Sequence, residues 1–218
     1  KFEKFLKTLP VIILITGFFY GAQAKTIEAI TKEESDSGSE ISSTTPQSPL
    51  VKGNLNRHAV GIGLGQTSLL SDFEDDGENK IGIPDLFYNY SASYSFDFMA
   101  NLHFSKHEFR SRYVKPIGLA LGIKAKAYQF DAFSPFAVGG FGFYSPKIKR
   151  EVDGDLMESE SKTIFGWHLG VGGDLLLNQN YMIGFLGHLH NPFDVKQDQG
   201  PEVEGAYFKL LITGYYIF

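Results

Sequence analysis

The chain of 218 residues has no cysteine, a single tryptophan and no excess of positive charge. It also has no apolar run of the ~20 residues that a membrane helix needs. The missing cysteines exclude a disulfide framework, a thiolate-bound metal and a lipid-modified N-terminal cysteine. A mean hydropathy of -0.12 excludes a helical membrane bundle. A formal net charge of -5 argues against nucleic acid as a partner. What is abundant instead is glycine (24), phenylalanine (20) and tyrosine (11), spread over a length that suits one domain. Soluble sandwiches and barrels share that composition, so the arrangement of the residues has to separate the classes.

Residues 1–24 have the layout of a secretory signal peptide. Lys1, Lys4 and Lys7 form a positive start, residues 11–20 are apolar, and Ala22-Gln23-Ala24 is a small-x-small cleavage site. An uncleaved anchor is the alternative, but the apolar run is too short to span. Residues 25–56 include TKEESDSGSEISSTTPQSP, which has almost nothing to bury and is expected to be a disordered periplasmic tail. The folded domain is expected over residues 57–218.

From Arg57 onward, eight segments alternate with the period of two that marks a strand: 59–69, 85–96, 98–109, 116–130, 135–144, 164–176, 181–190 and 206–218. In the first, Val60, Ile62 and Leu64 alternate with glycines. In the sixth, Phe165, Trp167, Leu169 and Val171 oppose Gly166, His168, Gly170 and Asp174. Glycines at 139, 140 and 142 blur the facing of the fifth. Connections are alternately long (70–84, 110–115, 145–163, 191–205) and short (Asp97, 131–134, 178–180).

That asymmetry is the pattern of a transmembrane barrel with short periplasmic turns and longer external loops. A soluble eight-stranded carrier barrel has no reason to alternate so regularly. The faces separate the two further. One carries large aromatic and branched aliphatic residues along whole strands, and the other carries mostly small or polar ones. Small polar residues suit a narrow interior, and a continuous apolar face suits lipid. Tyrosines and phenylalanines gather near strand ends, among them Tyr88, Tyr90, Tyr94, Tyr181, Tyr215 and Tyr216, as in an interfacial aromatic girdle. The expected fold is an all-β, eight-stranded antiparallel transmembrane barrel of up-and-down topology, in a bacterial outer membrane with both termini periplasmic.

Three stretches carry a family resemblance. Pro135-Phe136-Ala137-Val138-Gly139-Gly140-Phe141-Gly142 resembles the P-[YF]-x-x-G-x-G strand of small outer-membrane barrels. The run from Phe165 to Leu175, followed by Asn178 and Tyr181, resembles their penultimate hairpin, and Tyr216-Ile217-Phe218 their C-terminal insertion signal. The chain from about Arg57 to Phe218 thus resembles the OmpW and OmpA-transmembrane-domain type. The signal departs from the pattern at Thr213, where glycine is usual, and the peptidoglycan-binding domain of full-length OmpA-type proteins is not expected here. The resemblance implies recognition of Tyr216 and Phe218 by the barrel assembly machinery. For the OmpW type it also implies passage of small hydrophobic solutes through a narrow lumen with a lateral opening.

The polar faces place Asn101, His103, Lys124, Lys126, His168, Asp174, His188 and His190 in a shared interior. Buried charges need partners, so a mutually satisfied network that plugs the lumen competes with a gated or partial channel. His188 and His190 share a face, with His168 on the next strand, but two imidazoles at that spacing are weak grounds for a metal, and neither a metal nor another cofactor is expected. The H-x-H pair invites comparison with outer-membrane lipid A deacylases, yet His190 stands where they have the serine nucleophile, so no enzyme is expected. An apolar pocket at the outer mouth is expected from Leu69, Leu70, Phe73, Phe109 and Phe193. Arg110, Arg112 and Lys115 are placed to meet lipopolysaccharide phosphates. Acidic loops at 72–78 and 151–160 are either a solvated rim or weak divalent-cation sites. Two functions follow: a narrow channel for small hydrophobic solutes, or a non-conducting structural or surface-binding barrel with a polar plugged interior.

Overall fold

The computed structural model describes residues 55–75, 77–81, 84–127, 132–152, 154–160, 162–194 and 202–218. The expected signal peptide and nearly all of the tail lie outside the described residues, as do Asp76 and Asp153 of the acidic loops.

The strands in chain order are β1 (His58–Leu70), β2 (Lys80–Ile81), β3 (Asp85–Ser91), β4 (Phe96–Phe104), β5 (His107–Phe109), β6 (Arg112–Lys115), β7 (Ile117–Lys126), β8 (Phe133–Tyr144), β9 (Lys147–Val152), β10 (Asp155–Glu158), β11 (Ile164–Leu176), β12 (Tyr181–Pro192) and β13 (Ala206–Ile217). Eight of them form one antiparallel sheet, each hydrogen-bonded to its neighbour in the order β13-β12-β11-β8-β7-β4-β3-β1, and β1 pairs with β13 to close it. The seam runs from Ala59 opposite Ile217 to Leu70 opposite Ala206. His58 and Phe218 exchange N–H···O=C bonds of 3.1 and 2.8 Å at its end. Two-residue β2 adds to the upper part of β1.

Strand alternation sorts the side chains as expected of a membrane barrel. Val60, Ile62, Leu64, Phe98, Leu121, Ile123, Phe141, Leu169, Phe185 and Ile212 stand exposed on the outside. Glycines, polar groups and a few large residues point inward. Such an apolar belt is stable only against hydrocarbon, and closure leaves no backbone edge in it unpaired.

The structure moves some boundaries. The first short turn lies at Ser93–Ser95, where Ser93 Oγ accepts from the backbone N–H groups of Ser95 and Phe96 at 3.2 and 3.0 Å. Asp97 is therefore not the turn. It sits in β4 opposite Ser91 and points inward, 5 % exposed. The facing of β8 resolves with Phe136, Val138 and Tyr144 buried inside and Phe141 and Phe143 outside. Tyr215, expected in the girdle, is buried in the lumen, while its neighbour Tyr216 faces out.

The long connections also contain structure that the alternation did not reveal. β5, β6, β9 and β10 form a second, four-stranded antiparallel sheet in the order β10-β9-β6-β5, built from the β4–β7 and β8–β11 connections. Between β1 and β2 a 3-10 turn spans Ser71–Asp75.

Close strand contact explains the inward glycines of β1. A Cβ at Gly65 would fall on the Leu210 carbonyl oxygen, which is backbone and cannot swing aside, whereas nothing lies near a Cβ at Gly214. Gly65→Ala should lower stability by about 1–3 kcal/mol and Gly214→Ala should be nearly neutral, as read from urea unfolding of the barrel in micelles.

Candidate functional site

Reading along β13 from the short-turn end, the inward residues are Ile217, Tyr215, Thr213, Leu211, Lys209 and Tyr207. Each marks a level of the lumen. Near the short-turn end, Lys126 Nζ donates to Asp97 Oδ1 at 2.6 Å. Next to it the Lys124 ammonium donates to Asp174, with its Nζ 3.9 Å from the centre of the Phe136 ring and 5.6 Å from that of Tyr215. An apolar cluster surrounds this pair and includes Phe87, Met99, Val138, Leu186 and Leu211. Above it, Lys209 Nζ donates to Asp85 Oδ1 at 2.5 Å, and Asn101 Nδ2 donates to Asp85 Oδ2 at 3.4 Å.

The next level is aromatic. His103, His168, His188 and His190 are all fully buried, with Tyr144 and Tyr207 beside them. Tyr207 OH lies 2.5 Å from His103 Nε2, and His188 Nε2 lies 2.9 Å from His168 Nδ1. The outer mouth is then covered by a second apolar cluster of Leu69, Phe73, Val114, Tyr144, Ile148, Ile164, Val203 and Tyr207. A cavity of about 60 Å³ remains at the short-turn end, bordered by Asn89, Asp97, Lys126, Ser134 and Asp174 among others.

All eight residues expected in the interior thus point into it. Seven are fully or nearly fully buried, and the Lys126 side chain keeps 15 % exposure. Three partners that complete the network, Asp85, Asp97 and Lys209, were not singled out from the sequence. Asp85 begins one alternating segment and Asp97 falls between two, where alternation gives no facing. An inward-facing lysine on every strand that carries one would have been the signal for Lys209.

The five residues expected to line an outer-mouth pocket do not come together. Leu69 and Phe73 are buried in the cap, whereas Leu70, Phe109 and Phe193 are at least 36 % exposed. Phe193 borders a separate cavity of about 220 Å³ with Ser71, Asn191, Pro192, Asp194, Glu204, Gly205 and Ala206. The reason is the 3-10 turn, which drives Phe73 inward beside Leu69.

At the rim, Arg110 lies over the Phe109 ring at 5.1 Å, Arg112 pairs with Glu151 at 3.8 Å, and Lys115 is exposed. The acidic residues of this sheet engage local cations rather than converge. Glu158 bonds Lys147 and accepts from Tyr113, and Glu160 pairs with Lys162 at 3.1 Å. Lys147, and after it Tyr113, holds the Glu158 carboxyl below the usual range, while desolvation and then Glu158 push the Tyr113 phenol up to about 12. Among the described residues no group of three or more acidic, histidine or cysteine side chains is arranged to hold a metal ion. Tyr216 and Phe218 face outward at the seam, their rings stacked at 6.2 Å.

The buried ion pairs set a stability test. Asp174→Asn leaves Lys124 charged and unpaired and should cost about 3–5 kcal/mol, whereas replacing both residues with leucine should recover much of the loss. Urea unfolding of the single and double variants in micelles reads this difference.

No family model matches the chain, and no curated protein sequence matches it. Solved structures do. Neisserial surface protein A superposes with a TM-score of 0.54 at 11 % identity, covering 74 % of this chain and 96 % of that one. The outer membrane protein OprG from Pseudomonas aeruginosa gives 0.51 at 12 %, covering 76 % and 98 %. Ail, the attachment invasion locus protein of Yersinia pestis, gives 0.50 at 15 %, covering 75 % and 99 %. At these identities the likeness is one of fold, and it does not single out the OmpW or OmpA type. With its lipid-facing belt and closed seam, the chain has the fold of the small eight-stranded outer-membrane barrels.

Proposed function

We propose that this chain is a closed barrel that conducts nothing at neutral pH and acts through the surface it presents outside the membrane. The observation that carries this reading is the filled lumen, in which ion pairs, an apolar cluster, imidazoles and an apolar cap succeed one another. Eight strands enclose a space that side chains can fill, and here large ones occupy it beside the glycines.

The presented surface is the four-stranded sheet of β5, β6, β9 and β10, joined by the 3-10 turn. Its buried side supplies Val114 and Ile148 to the cap, and Arg150 Nη2 donates to the Asp72 carbonyl at 3.2 Å. Its other side carries Tyr113, Lys115, Lys147, Lys149 and Glu158. Arg110, Arg112 and Lys115 fit the phosphates of lipopolysaccharide in the surrounding leaflet. Tyr216 and Phe218 fit an assembly signal read during insertion.

The refolded barrel in liposomes should pass neither small ions nor a small hydrophobic solute near pH 7.5. Uptake that falls when Phe73 is replaced by alanine would instead establish the channel for hydrophobic solutes, because Phe73 lies in the outer cap.

A further inference from the structure

The histidine level differs from the rest of the plug because imidazole is the side chain that in water changes charge nearest neutral pH. Its four rings are crowded, with centroids 4.1 Å apart for His188 and His190, 4.4 Å for His103 and His190, and 4.9 Å for His168 and His188. The hydrogen bonds assign the protons of three of the rings in their neutral form. His168 Nε2 donates to the Leu121 carbonyl at 3.1 Å, so its Nδ1 accepts from His188 Nε2 at 2.9 Å. That leaves His188 Nδ1 as a lone pair, and it has no partner. His103 Nδ1 donates to Asn101 Oδ1 at 3.0 Å and Nε2 accepts from Tyr207. His190 Nδ1 lies 3.2 Å from Tyr144 OH, and its Nε2 has no partner.

The groups facing these rings can be followed around the barrel. β3 contributes Asp85, β4 Asn101, β8 Tyr144, and β13 Tyr207 and Lys209. β7 contributes Gly118, Ala120 and Gly122, and β1 contributes Thr67 beside Gly65. Asp85 is the one carboxylate of this level among the described residues, and Lys209 and Asn101 already engage it. The level is therefore electroneutral when all four imidazoles are neutral. A proton placed on His188 Nδ1 makes a buried cation with no acceptor and no counter-charge, and a second proton on His190 leaves its Nε2–H without an acceptor whichever nitrogen carried the first.

The wall behind the rings cannot reseal. A Cβ at Gly118 would strike His103 and Tyr144, one at Gly122 would strike His168, and one at Gly170 would approach His188. The imidazoles fill the space that glycines leave. If the rings move toward water, the β7 and β11 wall behind them offers mostly backbone.

We propose that this four-histidine level is an acid-operated latch: protonation of His188 and His190 displaces the rings and opens the outer half of the lumen to water and small anions. This rests on the closed-barrel reading above. Anions are favoured because the protonated rings leave the opened level positive, the Lys209 charge being balanced by Asp85.

The chain has no native cysteine, so one reporter can be placed in it. Ala120 points inward at this level and is fully buried, and Ala120→Cys is a small change. The folded variant in liposomes is treated with a membrane-impermeant, sulfonate-bearing thiol reagent near pH 7.5 and near pH 5, each rate being divided by that of a free thiol at the same pH. The expected result is protection near neutral pH and a relative rate roughly tenfold or more higher in acid, reversed on return to neutral, because rings released to water take up protons there. His188→Gln and His190→Gln, each in the Ala120→Cys background, should lose the acid response. A cationic reagent of similar size should react more slowly in acid than the sulfonate. Protection at both pH values overturns the latch and leaves the closed barrel standing, whereas reaction at both overturns the closed barrel as well. An acid response that survives both glutamine substitutions, is irreversible, or favours the cationic reagent also overturns the latch.

Discussion

Inside hydrocarbon, a backbone N–H or C=O that finds no partner within the protein costs several kcal/mol. The pairing of β1 with β13 answers that constraint, because it converts an eight-stranded sheet with two open edges into a wall with none. Other features depend on this closure. Eight strands set a lumen that side chains must occupy, and the strict alternation of a strand commits one face to lipid and the other to that lumen. A slip of one residue along the seam would send Lys209 and Tyr207 into lipid and Leu210 and Phe208 inside.

The interior then has to carry charge without water. It does so by pairing residues from different strands, Lys126 with Asp97 on the neighbouring β7 and β4, Lys124 with Asp174 across β8, and Lys209 with Asp85 across β1. Such pairs add little net stability over apolar packing, but removing one member is costly. Their value here is in holding register, because Asp174 and Asp85 each meet a lysine two strands away only when the strand between them is aligned. The histidines do a similar filling task, packed against the glycines of β7 and β11.

A filled lumen shifts attention to the long-loop end. There the connections are not loose. Two hairpins join into a second sheet, and the side of it that meets the barrel supplies part of the apolar cap. Phe73, expected to line an entrance, instead sits in that cap. One sheet thus turns Val114 and Ile148 toward the cap and its polar residues outward.

The number of strands, the alternation of long and short connections and the lipid-facing side of most strands were legible in the sequence. Each follows from a period of two and from local turn chemistry, which involve residues near one another in the chain. Inward placement of Asn101, His103, Lys124, His168, Asp174, His188 and His190 was legible for the same reason. The partners were not. Asp85 and Lys209 are separated by 124 positions, and only closure of the barrel brings them together. The facing of β8 was hidden by glycines, which carry no side chain to show a pattern, and the turn at Ser93–Ser95 was hidden by serines that suit either strand or turn. Which residues line each wall was decided by local alternation. Which walls meet, and therefore which charges pair and whether the mouth is capped, was decided only by tertiary closure, because contacts across a lumen leave no periodic trace along the chain.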